Sequence, residues 1–256
     1  MTAIELGSIA LSASMAIAAG LVGCFAVMRR MTLAADAISH VALPGIGIAL
    51  LLNFYPIVGA LVMLFLGTLL IWGLQIKTNI STETVIGVVF TLALAIGSFF
   101  TSGEELIDAL FGAPGTLTIW ETAFGLTGAA LVIVLMLVLK NAFIVALVSP
   151  DIASTSGLNV ARLDLIFLLA FALTVGLGLR YLGVLLMGSL IIIPAVTARR
   201  LAGNLTAMLS LSAGVAVVST LLGTYLGAVL QRETGPLIVS FAGGIFFLSL
   251  LKRQSS

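Results

Sequence analysis

Residues 121–147 read ETAFGLTGAALVIVLMLVLKNAFIVAL, with no formal charge between Glu121 and Lys140. An α-helix rises about 1.5 Å per residue and the hydrocarbon core of a bilayer is about 30 Å thick, so roughly 20 apolar residues cross it. The 121–147 stretch meets that length as one helix. Eight further apolar runs lie at about 8–28, 32–52, 57–76, 84–100, 163–179, 182–198, 206–229 and 236–251. Of the 256 residues, 61% are hydrophobic and only 8% charged, whereas a soluble domain carries about 25% charged residues. Eleven Lys and Arg with ten Asp and Glu cannot cover a soluble surface of this size. A soluble enzyme, a nucleic-acid binder and a disordered chain are excluded. The expected fold is an all-α polytopic membrane protein, with 1–256 forming a single transmembrane domain in the lipid bilayer.

The rest of the composition narrows the chemistry. Cys24 is the only cysteine and His40 the only histidine, so an intrachain disulfide, a cysteine metal cluster and a two-histidine catalytic site are all impossible within one chain. Neither H-E-x-x-H nor G-x-x-x-x-G-K-[ST] occurs, so the chain has no Walker loop of its own for ATP. Its 27 glycines suit close packing between membrane helices.

Positive charges set the expected orientation. With the N-terminus outside, Arg29, Arg30, Lys77, Lys140, Arg162, Arg199, Arg200, Lys252 and Arg253 fall inside, and only Arg180 and Arg232 fall outside. This places the C-terminus in the cytoplasm. No Lys or Arg precedes the first apolar run, and Arg29 and Arg30 follow it. That is the reverse of a signal peptide, so the first segment is expected to be retained. Pro194 marks 182–198 as the segment most open to being broken or re-entrant, which leaves the expectation at eight to nine transmembrane helices.

Two loops carry helix signals. In the outer loop, Ser102 and Glu105 form a capping-box pattern, Gly112 is a stop, and Leu106, Ile107, Leu110 and Phe111 share a face. A short outer surface helix is expected over about 103–111, either as a lid on the bundle or as a contact for an extracytoplasmic partner. In the inner loop, Ser149 suits an N-cap, Pro150 the first helical position, Asp151 the positive end of the helix dipole and Gly157 the C-terminal stop. These predict a two-turn cytoplasmic helix over about 150–157. Its small surface residues, Ala153 among them, allow another protein to approach closely.

An ionisable residue inside a span is expensive and points to function. The second span contains the clearest case, Asp36-Ala-Ile-Ser-His40-Val-Ala-Leu-Pro44-Gly45. Asp36 and His40 stand four apart and so project from one helix face. A carboxylate beside an imidazole suits Zn²⁺, Mn²⁺ or Fe²⁺. Pro44 lacks an N–H and frees the carbonyl four residues back, which belongs to His40. Gly45 and Gly47 allow a neighbouring backbone to come close. The same pair also suits a hydrogen bond that joins two helices. Two side chains make a weak metal site, and a transport path needs a weak one. Two copies of the helix near a dimer axis would bring two Asp and two His together. Met28 and Met31, Glu83 and Glu121 read as span-end residues, and the other methionines as core fillers.

The 36–45 segment resembles the "GDxLSHxxLPG" signature of the zinc/manganese/iron-type ABC transporter permeases, the ABC-3 family membrane subunits. Asp151-Ile-Ala153-Ser-Thr-Ser-Gly157 is similar to their "SPDxAxxxG" coupling loop, residues 182–200 resemble their "GxLLxxSLLIIPAATAR" segment, and Leu110-Phe-Gly112 resembles a further outer-loop signature. Ala35 stands where the family usually has Gly, and Leu158 and Asn159 thin out the charges usual after the coupling glycine. The resemblance implies a homodimeric permease of the cytoplasmic membrane, paired with a separate ATP-binding subunit and supplied by an extracytoplasmic metal-binding protein. It binds no permanent cofactor, and its cargo is zinc, manganese or iron. Asp36 and His40 would line the metal path, and Ser149, Pro150, Asp151, Ala153 and Gly157 would couple to the ATPase. The other reading is an ATP-independent secondary transporter or channel, which has no evident need of a capped 149–157 helix.

Overall fold

The computed structural model describes residues 3–32, 34–78, 80–99, 118–182 and 184–251. Among these residues the elements are α1 (Ala3–Met28), α2 (Ala34–Leu51), α3 (Pro56–Lys77), α4 (Thr82–Gly97), α5 (Ile119–Val148), α6 (Pro150–Thr155), α7 (Val160–Leu182), α8 (Val184–Leu201), α9 (Leu205–Leu230) and α10 (Thr234–Leu251), with no strand. Six of them, α1, α3, α5, α7, α9 and α10, are long and apolar enough to cross a membrane; α2 and α4 hold shorter apolar stretches. Each expected apolar run coincides with one helix, with ends displaced by no more than five residues. The expected outer helix at 103–111 lies outside the described residues.

Short polar side chains define several helix starts. Thr118 and Glu121 form a reciprocal capping box at α5: the Glu121 N–H donates to Thr118 Oγ1 (3.2 Å) and the Thr118 N–H donates to Glu121 Oε2 (2.9 Å). Asn204 caps α9 by accepting the Ala207 N–H at 2.8 Å. Pro194 does not break its segment, because α8 runs unbroken through it, as α2 runs through Pro44. A proline removes one helical hydrogen bond, and packed neighbours can hold the helix together across the gap. At Pro194 those neighbours are buried: Ile191 and Ala195 press against Gly23 of α1, where a side chain would collide with the Ile191 carbonyl.

α1 is the hub, in contact with α5, α7, α8 and α9. From Leu11 to Val27 most of its side chains are buried, many of them alanine. Small residues let the backbones close in. The Ser212 hydroxyl of α9 donates to the Gly20 carbonyl at 2.8 Å, and a Cβ at Gly20 would lie only 3.0 Å from the Ser212 backbone. α5 and α10 lie outermost, turning Leu131, Val134, Val138, Phe247 and Leu248 outward. An apolar exterior of this kind is stable against acyl chains rather than water.

Hydrogen bonds align the helix ends. At one end Trp72 Nε1 of α3 donates to the Ala161 carbonyl of α7 (2.9 Å), and Arg199 of α8 donates to the Val27 carbonyl of α1 (3.5 Å). At the other, the Tyr181 hydroxyl of α7 donates to the Glu121 carbonyl of α5 at 2.6 Å.

Candidate functional site

The predicted metal-binding pair lies on α2, which is clamped between α3 and α4 and also touches α7 and α8. Glycines set both clamps. Gly45 of α2 and Gly59 of α3 face each other so closely that a Cβ on either would collide with the other's carbonyl oxygen. On the α4 side, a Cβ at Gly97 would meet Leu43 Cβ at 3.3 Å and Pro44 Cδ at 3.4 Å, so Gly97 leaves room for the proline ring. Pro44 and its neighbours are therefore held from two directions, which fixes where the first turns of α2 point.

His40 is half-buried on this helix, and its ring stacks on Phe90 of α4 with centroids 5.5 Å apart and planes tilted by 52°. Asp36 occupies its expected place one turn earlier on α2, and its side chain lies outside the described part of the structure. Phe90 also walls a cavity of about 330 Å³ between the first turns of α2 and α4, along with Met31, Ala34, Ala37 and Glu83. A space large enough for hydrated ions thus reaches the imidazole's aromatic neighbour. Among the described residues no group of three or more His, Cys, Asp or Glu side chains could enclose a metal ion.

The second predicted element, α6, forms as its sequence dictates. Ser149 Oγ accepts the Ile152 N–H, Pro150 opens the helix, and Asp151 stands in its first turn. Its far end is a complete Schellman motif: the Leu158 N–H donates to the Ala153 carbonyl (2.9 Å) and the Gly157 N–H to the Ser154 carbonyl (3.1 Å). Gly157 adopts φ +80, the left-handed conformation that glycine enters without a Cβ penalty. Asn159 then caps α7 by accepting the Arg162 N–H at 3.0 Å. Ala153 is fully buried as the footing of α6, while Val148 and Ile152 are 78% and 60% exposed. A short helix held at both ends thus presents an apolar, small-residue surface outward.

Sequence reasoning missed an ion pair. Arg29, read as a span-end charge, donates to Asp164 of α7 at 2.6 Å, with the two side chains only 12% and 22% exposed. The guanidinium also lies over the Phe167 ring at 4.5 Å and faces Phe143 at 6.0 Å. The available signal was Asp164 itself: a carboxylate one residue inside the expected 163–179 span needs a cationic partner.

The profile of the ABC 3 transport family matches residues 3–253. The chain belongs to the ABC 3 transport family. One relative, the manganese transport system membrane protein MntC of Listeria innocua, is 32% identical over 247 residues, covering 94% of this chain and 87% of its own. The high-affinity zinc uptake system membrane protein ZnuB of Haemophilus influenzae is 29% identical over 239 residues, covering 91% of each chain. Among solved structures, PsaBC from Streptococcus pneumoniae in complex with Fab superposes with a TM-score of 0.83 at 25% identity, covering 98% of this chain and 92% of that one. As an ABC 3 family member the chain is a multi-pass cell-membrane permease of an ATP-binding-cassette importer, and ATP hydrolysis resides in a separate subunit. The ATP-independent transporter reading gives way to this assignment.

Proposed function

We propose that this permease imports a divalent transition metal, manganese or zinc and by ligand chemistry also iron, along a path lined by Asp36 and His40 of α2. One observation carries the reading: the only imidazole of the chain stands on a glycine-clamped, proline-bearing helix beside a cavity of about 330 Å³. The names of the relatives, which specify manganese and zinc, support the choice of cargo. His and carboxylate ligands accept all three ions, so selection among them falls in part to a separate extracytoplasmic binding protein. Two copies of the permease meet so that both α2 helices face one axis. There two Asp36 and two His40 side chains hold the ion weakly enough to release it.

In this reading the N-terminus is outside, the C-terminus is cytoplasmic, and the nine long helices among the described residues supply eight or nine spans within one domain. The cytoplasmic helix α6, with Ser149, Pro150, Asp151, Ala153 and Gly157 fixing its shape, docks in a groove of the ATP-binding subunit. Dimer closure of that subunit on ATP moves α6, and the spans rearrange around the ion.

The test is metal uptake into proteoliposomes holding the permease, its ATPase and its binding protein. ATP-dependent uptake is expected, with near-complete loss in His40→Ala and Asp36→Ala. Uptake that proceeds without ATP refutes the importer, and uptake unchanged in both variants refutes the path.

A further inference from the structure

We infer that the Arg29–Asp164 ion pair is the strut that passes movement of the coupling helix α6 to the metal-bearing helix α2, a role that rests on the importer reading above. The path begins at α6, whose Schellman corner and the Asn159 cap leave no slack before α7. Asp164 stands just past the first turn of α7, so displacement of α6 carries its carboxylate along. That carboxylate accepts from Arg29 Nη1 at 2.6 Å.

Arg29 is held as firmly on its own side. Its guanidinium rests on Phe167, 4.5 Å from the ring centre, and that ring packs in series with Phe143 and Phe25 at centroid separations of 6.0 and 5.4 Å. The residue is also the C-cap of α1, and a second Schellman corner follows it at once. The Met31 N–H donates to the Ala26 carbonyl (2.8 Å) and the Arg30 N–H to the Val27 carbonyl (3.2 Å). Arg30 takes the left-handed conformation at φ 59, Met31 is buried, and the Ala34 N–H reaches back to the Met31 carbonyl at 3.1 Å. α2 starts at Ala34, and Asp36 follows two residues later. The pair therefore joins two stiff corners, one next to the ATPase-facing helix and one next to the ion path.

An ion pair is a poor choice for mere glue. Well-packed apolar residues of similar volume often stabilise a buried contact as well or better, and this chain has only 11 cationic and 10 anionic side chains to place. Charge gives what packing does not. A guanidinium that donates to the carboxylate at 2.6 Å while lying on the Phe167 ring is fixed in direction as well as distance, so a push on one helix arrives at the other without slip.

The experiment compares Arg29→Gln, Asp164→Asn, Arg29→Lys and the exchanged pair Arg29→Asp with Asp164→Arg in proteoliposomes containing the ATPase and binding protein. Three quantities are read: metal-stimulated ATP hydrolysis, radioactive Zn²⁺ or Mn²⁺ uptake, and the thermal midpoint of the purified complex. The neutral variants are expected to keep hydrolysing ATP while metal moved per ATP falls about fivefold or more, the lower end of coupling between linked sites. Arg29→Lys keeps the charge but loses the fork and the ring stacking, and should fall between. The exchanged pair should recover part of the coupling, a non-additivity that independent sites do not show.

A wild-type complex that moves no metal refutes the importer reading itself. A wild type that transports, with neutral variants holding metal per ATP within about twofold, refutes the strut alone. Hydrolysis, uptake and thermal midpoint falling together, without recovery in the exchanged pair, reduce the contact to structural glue and equally overturn the strut.

Discussion

Alanine at Gly45 or Gly59 tests whether the glycine clamp positions α2. A Cβ at Gly45 would sit 2.6 Å from Met63 Cβ and 2.7 Å from the Gly59 carbonyl carbon, and one at Gly59 would sit 2.7 Å from Ala49 Cβ. Non-bonded carbons prefer about 3.5–4.0 Å, so the two helices must withdraw by about 1 Å. Neither obstruction is the far end of a flexible chain: backbone and Cβ atoms move only with their helices. Overpacking of this kind costs about 1–3 kcal/mol, or a fall of roughly 2–12 °C in thermal midpoint for a chain of this length. Because α2 carries His40, a shift of that size also displaces the imidazole, and metal uptake should fall by a larger factor than stability. The double variant gives the sharper reading. Once one Cβ has parted the helices the second enters space already made, so the two losses should sum to clearly more than the double loss. Thermal unfolding of the purified permease, with uptake measured in parallel, decides it. Midpoints within about 1 °C of the parent, or strictly additive losses, would refute the clamp.

Three smaller predictions concern the corners and the hub. Arg30→Gly relieves a non-glycine residue at φ 59 and should raise stability by about 1 kcal/mol, seen as a higher thermal midpoint. Gly157→Ala places a Cβ at φ +80, should cost about 1 kcal/mol locally, and should speed amide exchange at Gly157 and Leu158 while leaving α1 protected. Ser212→Ala removes the bond to the Gly20 carbonyl and should destabilise by about 1 kcal/mol; a neutral thermal midpoint would show that this bond adds nothing to small-residue packing.

Hydropathy made the helices legible because, in a bilayer, length and apolarity are nearly the whole requirement for a helix. The caps at Ser149 and Gly157 were equally open to reading, since capping is a local matter of one side chain and three or four backbone groups. Asp36 and His40 were visible as polar residues where polar residues are costly. What stayed hidden depends on which helices meet. Nothing in residues 25–31 names Asp164, 135 positions away, as the partner of Arg29. Phe90 looked like any apolar residue until α4 brought it onto the imidazole. Gly59 was one of 27 glycines until Gly45 was found opposite it. At Pro194 local chemistry leaves room for a break, and α8 instead runs unbroken through it, packed against Gly23.

The central position of α1 has a consequence for how the chain is made. α1 leaves the ribosome ahead of every helix it packs against, and its contacts with α5, α7, α8 and α9 are unavailable while it first resides in the membrane. Its alanines and glycines give it little to hold on to alone. Completion of the bundle must therefore wait for the last third of the chain, when α9 delivers Ser212 to Gly20. A nascent permease stalled before that point would carry a first helix packed on α5, α7 and α8 but bare on the face that α9 covers.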